Sequence, residues 1–131
     1  MPFETILYEK QEHKAVLTMN RPAQLNAVSR LMSRELRDAW LDFRDDPNLW
    51  VAILTAAGDR AFSTGADLKE TLRLRSAGEP AQAALPNIPF GGMTKHIPIW
   101  KPMIAASEAP QRTMPFTAMV VSVGAGPRGV E

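Results

Sequence analysis

The segment Ala61-Phe62-Ser63-Thr64-Gly65-Ala66-Asp67-Leu68-Lys69-Glu70 carries the residue types and spacing best suited to chemistry in this chain. Gly65 can take the positive φ of a sharp turn, which other residues resist. Asp67 followed three positions later by Glu70 is an acidic variant of the capping box, so the spacing predicts a helix starting at Asp67. The Ala66 backbone N–H then sits at the positive end of a helix dipole, where a free donor can meet negative charge developing on a carbonyl oxygen. That is the geometry of half an oxyanion hole. The same spacing also fits a plain strand-to-helix connection with glycine for steric reasons, and spacing alone leaves both readings open.

The elements that must position this turn lie on either side of it. Residues 50–55, Trp50-Val51-Ala52-Ile53-Leu54-Thr55, are apolar and β-branched, as in a strand covered on both faces. Residues 3–9 and 14–19 alternate with period two, with Ile6 and Tyr8 on one face and Ala15, Leu17 and Met19 on another, which predicts a hairpin whose polar tip is 10–13. His13 reads as a solvated turn residue. Residues 20–27 must be a loop, since Pro22 keeps Arg21 out of the helical region. Taken alone, this loop is a connector in which Asn26 forms the turn and Arg21 is solvated.

Ser29 is a suitable N-cap for a helix over 29–44. Met32, Leu36, Ala39, Trp40 and Phe43 lie along one side of it, and Arg34, Arg37, Asp38 and Asp42 along the other. Asp45-Asp46-Pro47 ends it. The second helix runs from Asp67 through Leu72 and Leu74 to about Ser76, where Ala77-Gly78-Glu79-Pro80 breaks it. Residues 77–90 read as a mobile connector, a candidate lid over a bound group. Residues 91–98 suggest a short helix ended by Pro98. Met93, Ile97, Ile99 and Trp100 read as core or pocket wall, and His96, with nothing to pair with, as packed or solvated. Residues 103–106 predict another buried strand.

Composition removes several classes of function. At 131 residues there is room for one domain with a real core. A net charge of +1 without a dense basic run gives no electrostatic footprint for nucleic acid. With no cysteine and two isolated histidines, His13 and His96, no disulfide framework, thiolate chemistry or metal site is expected. No membrane span and no targeting segment is visible, so a cytoplasmic protein is expected.

Ala61 to Glu70, together with Asn20-Arg21-Pro22 and Leu25-Asn26-Ala27 upstream and Lys101-Pro102-Met103-Ile104-Ala105-Ala106 downstream, resembles the enoyl-CoA hydratase/isomerase (crotonase) family in order and spacing. The resemblance runs from about Phe3 to Ala106. It implies an α/β fold of crotonase-like ββα units, truncated after the strand near Met103–Ala106. Residues 1–106 would be the N-terminal part of such a domain and 107–131 a divergent, flexible tail. It also implies a coenzyme A thioester as substrate, with no permanently bound cofactor and no metal. By resemblance, Leu25, Asn26, Ala27, Ala66, Asp67, Leu68 and Lys69 contact that substrate, and Gly65 shapes the turn that offers the Ala66 N–H. Members of the family form homo-oligomers.

In the intact form, the expected reaction is hydration of a 2-enoyl-CoA. The second oxyanion donor and the catalytic carboxylates would follow Ala106, where this chain departs from the pattern, so no acid or base is assigned and this chain as it stands is expected to be inactive. Residues 107–131 instead contain an apolar run at 117–123 and Gly124-Ala125-Gly126, too short for a phosphate loop. A frame slip or an alternative terminal exon would explain that change. Two other classes stay open: a non-catalytic acyl-CoA binding or subunit-mixing protein, and an unstable fragment without function.

Overall fold

Period-two alternation at the start of the chain becomes a hairpin. β1 (Ile6–Gln11) and β2 (Lys14–Met19) pair antiparallel, with Ile6 opposite Met19 and Tyr8 opposite Leu17, so the apolar residues of both strands share one face. The computed structural model describes residues 2–78, 90–92, 97–107 and 117–120. β1 extends past the expected Glu9 to Gln11, and the turn shrinks to Glu12 and His13, with Glu12 at φ +54°. The polar residues expected at the tip pair instead, because a tight turn lets the ladder run to its end.

The apolar stripe in α1 (Arg30–Asp45) lies on this face of the sheet. Met32, Leu36, Ala39, Trp40 and Phe43 are buried there among Ile6, Leu17, Met19, Ala52 and Met103. Each large side chain removed from water contributes about 1.5–3 kcal/mol. β3 (Val51–Ala56) runs parallel to β2, with Leu17 beside Leu54, and β4 (Met103–Ser107) runs parallel to β3, with Ala52 beside Met103. Each parallel pair requires a crossover, and α1 supplies the first.

Both ends of α1 are held from outside the helix. Ser29 Oγ accepts from the Met32 N–H at 3.1 Å, as its N-cap position predicted. Lys101 Nζ donates to the Phe43 and Asp46 carbonyls at 2.7 and 2.5 Å, setting a cation at the negative end of the dipole. Glu35, buried at 6 % exposure in mid-helix, accepts from the Glu4 and Thr5 N–H groups at 2.7 and 2.8 Å and from the Thr5 hydroxyl. The start of the chain is thereby tied across α1.

Four expectations are amended. β3 is not covered on both faces: Ala52 is buried, while Val51, Ile53 and Leu54 are half-buried. Trp50 precedes the strand, is 61 % exposed and stacks on His13 with ring centroids 3.6 Å apart. Ile99 does join the core and Ile97 packs against it, but Trp100 is 56 % exposed, because the short extended segment into β4 turns alternate side chains outward.

The remaining amendment concerns residues 107–131. Thr117–Val120 forms β5, antiparallel to β4 with Ala105 opposite Met119, giving a five-stranded sheet in the order β1-β2-β3-β4-β5. The apolar run there takes up the ladder that β4 offers along its free edge. The rest of that segment, the connector at 79–89, and Met93 and His96 lie outside the described residues. Of the short helix expected over 91–98, only a 3₁₀ turn at Phe90–Gly92 is described. It approaches α1 so closely that a Cβ on Gly92 would lie 2.4 Å from the Arg37 nitrogen. Among the described residues, no helix is long and apolar enough to cross a membrane.

Candidate functional site

β2 and β3 are parallel neighbours, so the segments that follow them, 20–29 and 57–67, leave the sheet at the same end. In open α/β sheets that end is where ligands bind. The two segments run alongside each other as short extended pieces. The Thr64 N–H donates to the Leu25 carbonyl at 3.2 Å, the Val28 N–H to the Gly65 carbonyl at 2.7 Å and the Asp67 N–H to the Val28 carbonyl at 3.1 Å. This makes Val28 and Ala66 an isolated parallel bridge. In a parallel bridge the residue between the two bonded peptides keeps its own N–H for the opposite side. The Ala66 N–H accordingly donates to no acceptor among the described residues.

Gly65 makes this possible at φ +92°, and no atom lies within 4 Å of where its Cβ would be. The constraint there is conformational, not spatial. α2 (Leu68–Ser76) begins at the expected place, with Asp67 as N-cap: its Oδ1 accepts from the Glu70 N–H at 3.2 Å. Arg21 Nη1 lies 3.1 Å from Asp67 Oδ2 and donates to the Ala27 carbonyl at 2.6 Å. The solvated arginine of the connector reading is thus a part-buried ion pair that staples the first loop to the second. Burial works against the charged Asp67 carboxylate, but the Glu70 and Lys69 N–H groups and Arg21 outweigh it and hold the carboxyl below its ordinary range.

Glu70 departs from the capping box. Its Oε2 accepts from the Arg30 N–H at 3.0 Å, so it caps the first turn of α1, while the Asp67 N–H it was expected to take is bound to Val28. The bridge to Val28 holds that donor, and the carboxylate turns instead to the first turn of a neighbouring helix, whose N–H groups have no intrahelical acceptor.

Between the loops and α2 lies a cleft of about 850 Å³. Leu25, Ala27, Ala66, Asp67, Leu68 and Lys69, which the resemblance implies for substrate contact, line it together. Arg21, Ser29, Leu31, Glu70 and Arg73 complete much of the wall. Asn26 does not reach it: it is 1 % exposed behind the wall at φ +53°, with its side chain bonded to backbone. The wall of the cleft thus includes Ala66, whose N–H has no acceptor among the described residues, the apolar side chains of Leu25, Ala27 and Leu68, and the cations Lys69 and Arg73.

Sequence reasoning passed over Ser63, whose hydroxyl donates to the Asn26 carbonyl at 2.8 Å and accepts from the Gly65 N–H at 3.1 Å. A serine two residues before a turn glycine is a signal for that local bond. Arg73 could be found only by continuing the helical repeat from Lys69.

Residues 9–106 match the family model described as Enoyl-CoA hydratase/isomerase. The carnitinyl-CoA dehydratase of Escherichia coli K12 is 41 % identical over 90 residues, which cover 69 % of this chain and 33 % of that protein. The (E)-benzylidenesuccinyl-CoA hydratase of Thauera aromatica is 33 % identical over 103 residues, 77 % of this chain and 38 % of that one. Among solved structures, a carnitinyl-CoA hydratase from Mycobacterium avium superposes with a TM-score of 0.67 at 36 % identity, over 80 % of this chain and 39 % of the other. The chain therefore spans little more than a third of the length of these relatives.

Proposed function

Because the chain belongs to the enoyl-CoA hydratase/isomerase family, we propose that its cleft takes a coenzyme A thioester whose carbonyl oxygen accepts the Ala66 N–H. The observation that carries this reading is that Ala66, an exposed residue on the wall of the cleft just before the Asp67 cap of α2, has an N–H unclaimed by any described acceptor. A donor already oriented before the ligand arrives needs no reorganisation when charge moves onto the oxygen, and loss of one such donor costs a few kcal/mol in barrier. Leu25, Ala27 and Leu68 offer apolar contact to the pantetheine arm, and Lys69 and Arg73 offer cations to its phosphates. Coenzyme A enters as part of the substrate, and no resident cofactor is invoked.

For a protein of the relatives' full length, the reaction proposed is water addition to a 2-enoyl-CoA, in line with the hydratases and dehydratases it is similar to. That chemistry needs one group to give and one to take a proton within hydrogen-bond reach of the reacting carbons. Among the described residues, the carboxylates lining this cleft are Asp67 and Glu70, and both are engaged as helix caps. For the 131-residue chain this favours the non-catalytic acyl-CoA binding protein, binding without turnover.

Titration calorimetry with crotonyl-CoA tests both. Binding is expected in the parent and should be lost in Gly65→Val, where a β-branched residue at positive φ carries about 1–3 kcal/mol of strain, relieved by turning the Ala66 peptide away. Equal affinity in the two proteins would refute the role of Ala66. Loss of the enoyl absorbance on mixing with the parent chain would replace binding without turnover by catalysis.

A further inference from the structure

We propose that Asn26 and Ser63 form a relay that positions the Ala66 N–H from behind the cleft wall, and so govern affinity for a thioester carbonyl that neither of them touches. This rests on the reading of Ala66 as the carbonyl donor. Neither residue lines the cleft, so neither is a ligand contact.

The peptide that carries the Ala66 N–H is gripped on its other side, where the Gly65 carbonyl accepts from Val28. The peptide before it is gripped by Ser63 Oγ, which accepts the Gly65 N–H at 3.1 Å. Glycine's freedom would otherwise let these two peptides rotate about Gly65, and holding both flanks sets its φ and ψ. Ser63 keeps that place by donating to the Asn26 carbonyl at 2.8 Å.

The Asn26 side chain ties three further backbone segments together behind the turn. Its Nδ2 donates to the Ala57 and Ala61 carbonyls at 2.9 and 3.0 Å, and its Oδ1 accepts from the Arg21 N–H at 2.9 Å. One amide thus holds the exit of β3, the approach to the glycine turn and the start of the first loop. At 1 % exposure, water does not reach the side chain to substitute for those bonds. Leu25 and Asn26 both sit at left-handed φ, +54° and +53°, a conformation that asparagine tolerates and leucine resists. The structure over-determines a strained pair of residues at a functional site, as expected of a preorganised one.

The test uses the 131-residue chain and two ligands, crotonyl-CoA and an S-alkyl coenzyme A thioether that lacks the carbonyl. The parent should prefer the thioester roughly ten-fold. Ser63→Ala should reduce that preference to about two-fold while thioether affinity stays within about two-fold, and Ser63→Thr, which keeps the hydroxyl, should restore it. Exchange of the Gly65 amide, followed by NMR without ligand, should quicken roughly ten-fold in Ser63→Ala and return in Ser63→Thr. Asn26→Asp, which keeps an oxygen but loses both donors, should abolish the preference in any protein that still folds.

If both ligands weaken alike in Ser63→Ala and threonine rescues neither, the residue is only structural and the relay is overturned. Unchanged Gly65 exchange overturns it as well, whatever the ligands do. A parent that binds both ligands equally refutes Ala66 as the carbonyl donor, a separate failure, and the exchange measurement then still decides whether Ser63 restrains the turn.

Discussion

The two helices are held by different physics. α1 buries Met32, Ser33, Glu35, Leu36, Ala39, Trp40 and Phe43, while α2 buries no residue and exposes Leu68 and Leu72 at 71 % and 63 %. A helix of nine residues has little intrinsic stability in water, so α2 depends on its first turn: the Asp67 cap, the Arg21 ion pair and the bridge between Val28 and Ala66. α1 is placed by its flank and α2 by its N-terminus. A helix that follows the proposed Ala66 donor needs only its first end to be exact in position; a helix that builds a core must be right along its length.

The sharpest break in this comparison is Phe43→Ala. Phe43 is 0 % exposed against Trp40 and the sheet, and its loss should cost about 3–5 kcal/mol, read as a lower midpoint in urea denaturation. A change under 1 kcal/mol would mean that the flank of α1 is not what holds it.

Glu70→Ala comes next, at about 1 kcal/mol, and its effect should fall on the other helix. Amide exchange at the start of α1 should quicken, because the Arg30 N–H loses its acceptor, while α2 keeps its Asp67 cap. Faster exchange confined to α2 would restore the ordinary capping box.

Asp67→Asn isolates the charge at the start of α2. The folded carboxyl lies below its ordinary value, so its contribution is complete above that value and is lost as pH falls through the lower, folded one. In the parent, protection at the first turn of α2, taken relative to the intrinsic exchange rate at each pH, should therefore fall as the solution is acidified below about pH 4, the ordinary aspartate range. In Asp67→Asn that acid dependence should be absent. An identical acid response in both proteins would assign it to other carboxylates; Asp42 and Asp46, held low beside Lys10, and Asp45, held low by Arg44, are alternatives.

The smallest effect is expected from Leu72→Ser on the exposed side of α2, within about 0.5 kcal/mol in the same denaturation. A loss above 1 kcal/mol would show that this leucine is covered and would erase the contrast between the helices.

Much of this was legible in the residues. Helix α1 starts at its predicted cap and faces the core with its predicted stripe, because a five-member apolar repeat has one way to be buried. Gly65 takes its positive φ and Asp67 caps α2, since both effects act within a few residues of chain. Six residues that the resemblance implied for the substrate, Leu25, Ala27, Ala66, Asp67, Leu68 and Lys69, line one cleft, and whether they contact a ligand is the proposal above. What lay beyond the sequence was the partner of each polar group that bonds far along the chain. Asn26 looked like a wall residue and is a buried brace, Glu70 looked like a cap for its own helix and caps the other, and Arg21 looked solvated and is paired with Asp67. Backbone conformation and apolar periodicity depend on near neighbours and on a general preference for burial, so the chain's order of residues determines them. A hydrogen bond or ion pair depends on which groups arrive within about 3 Å of each other. Residues 31 to 46 positions apart meet that condition here only because β2 and β3 end side by side.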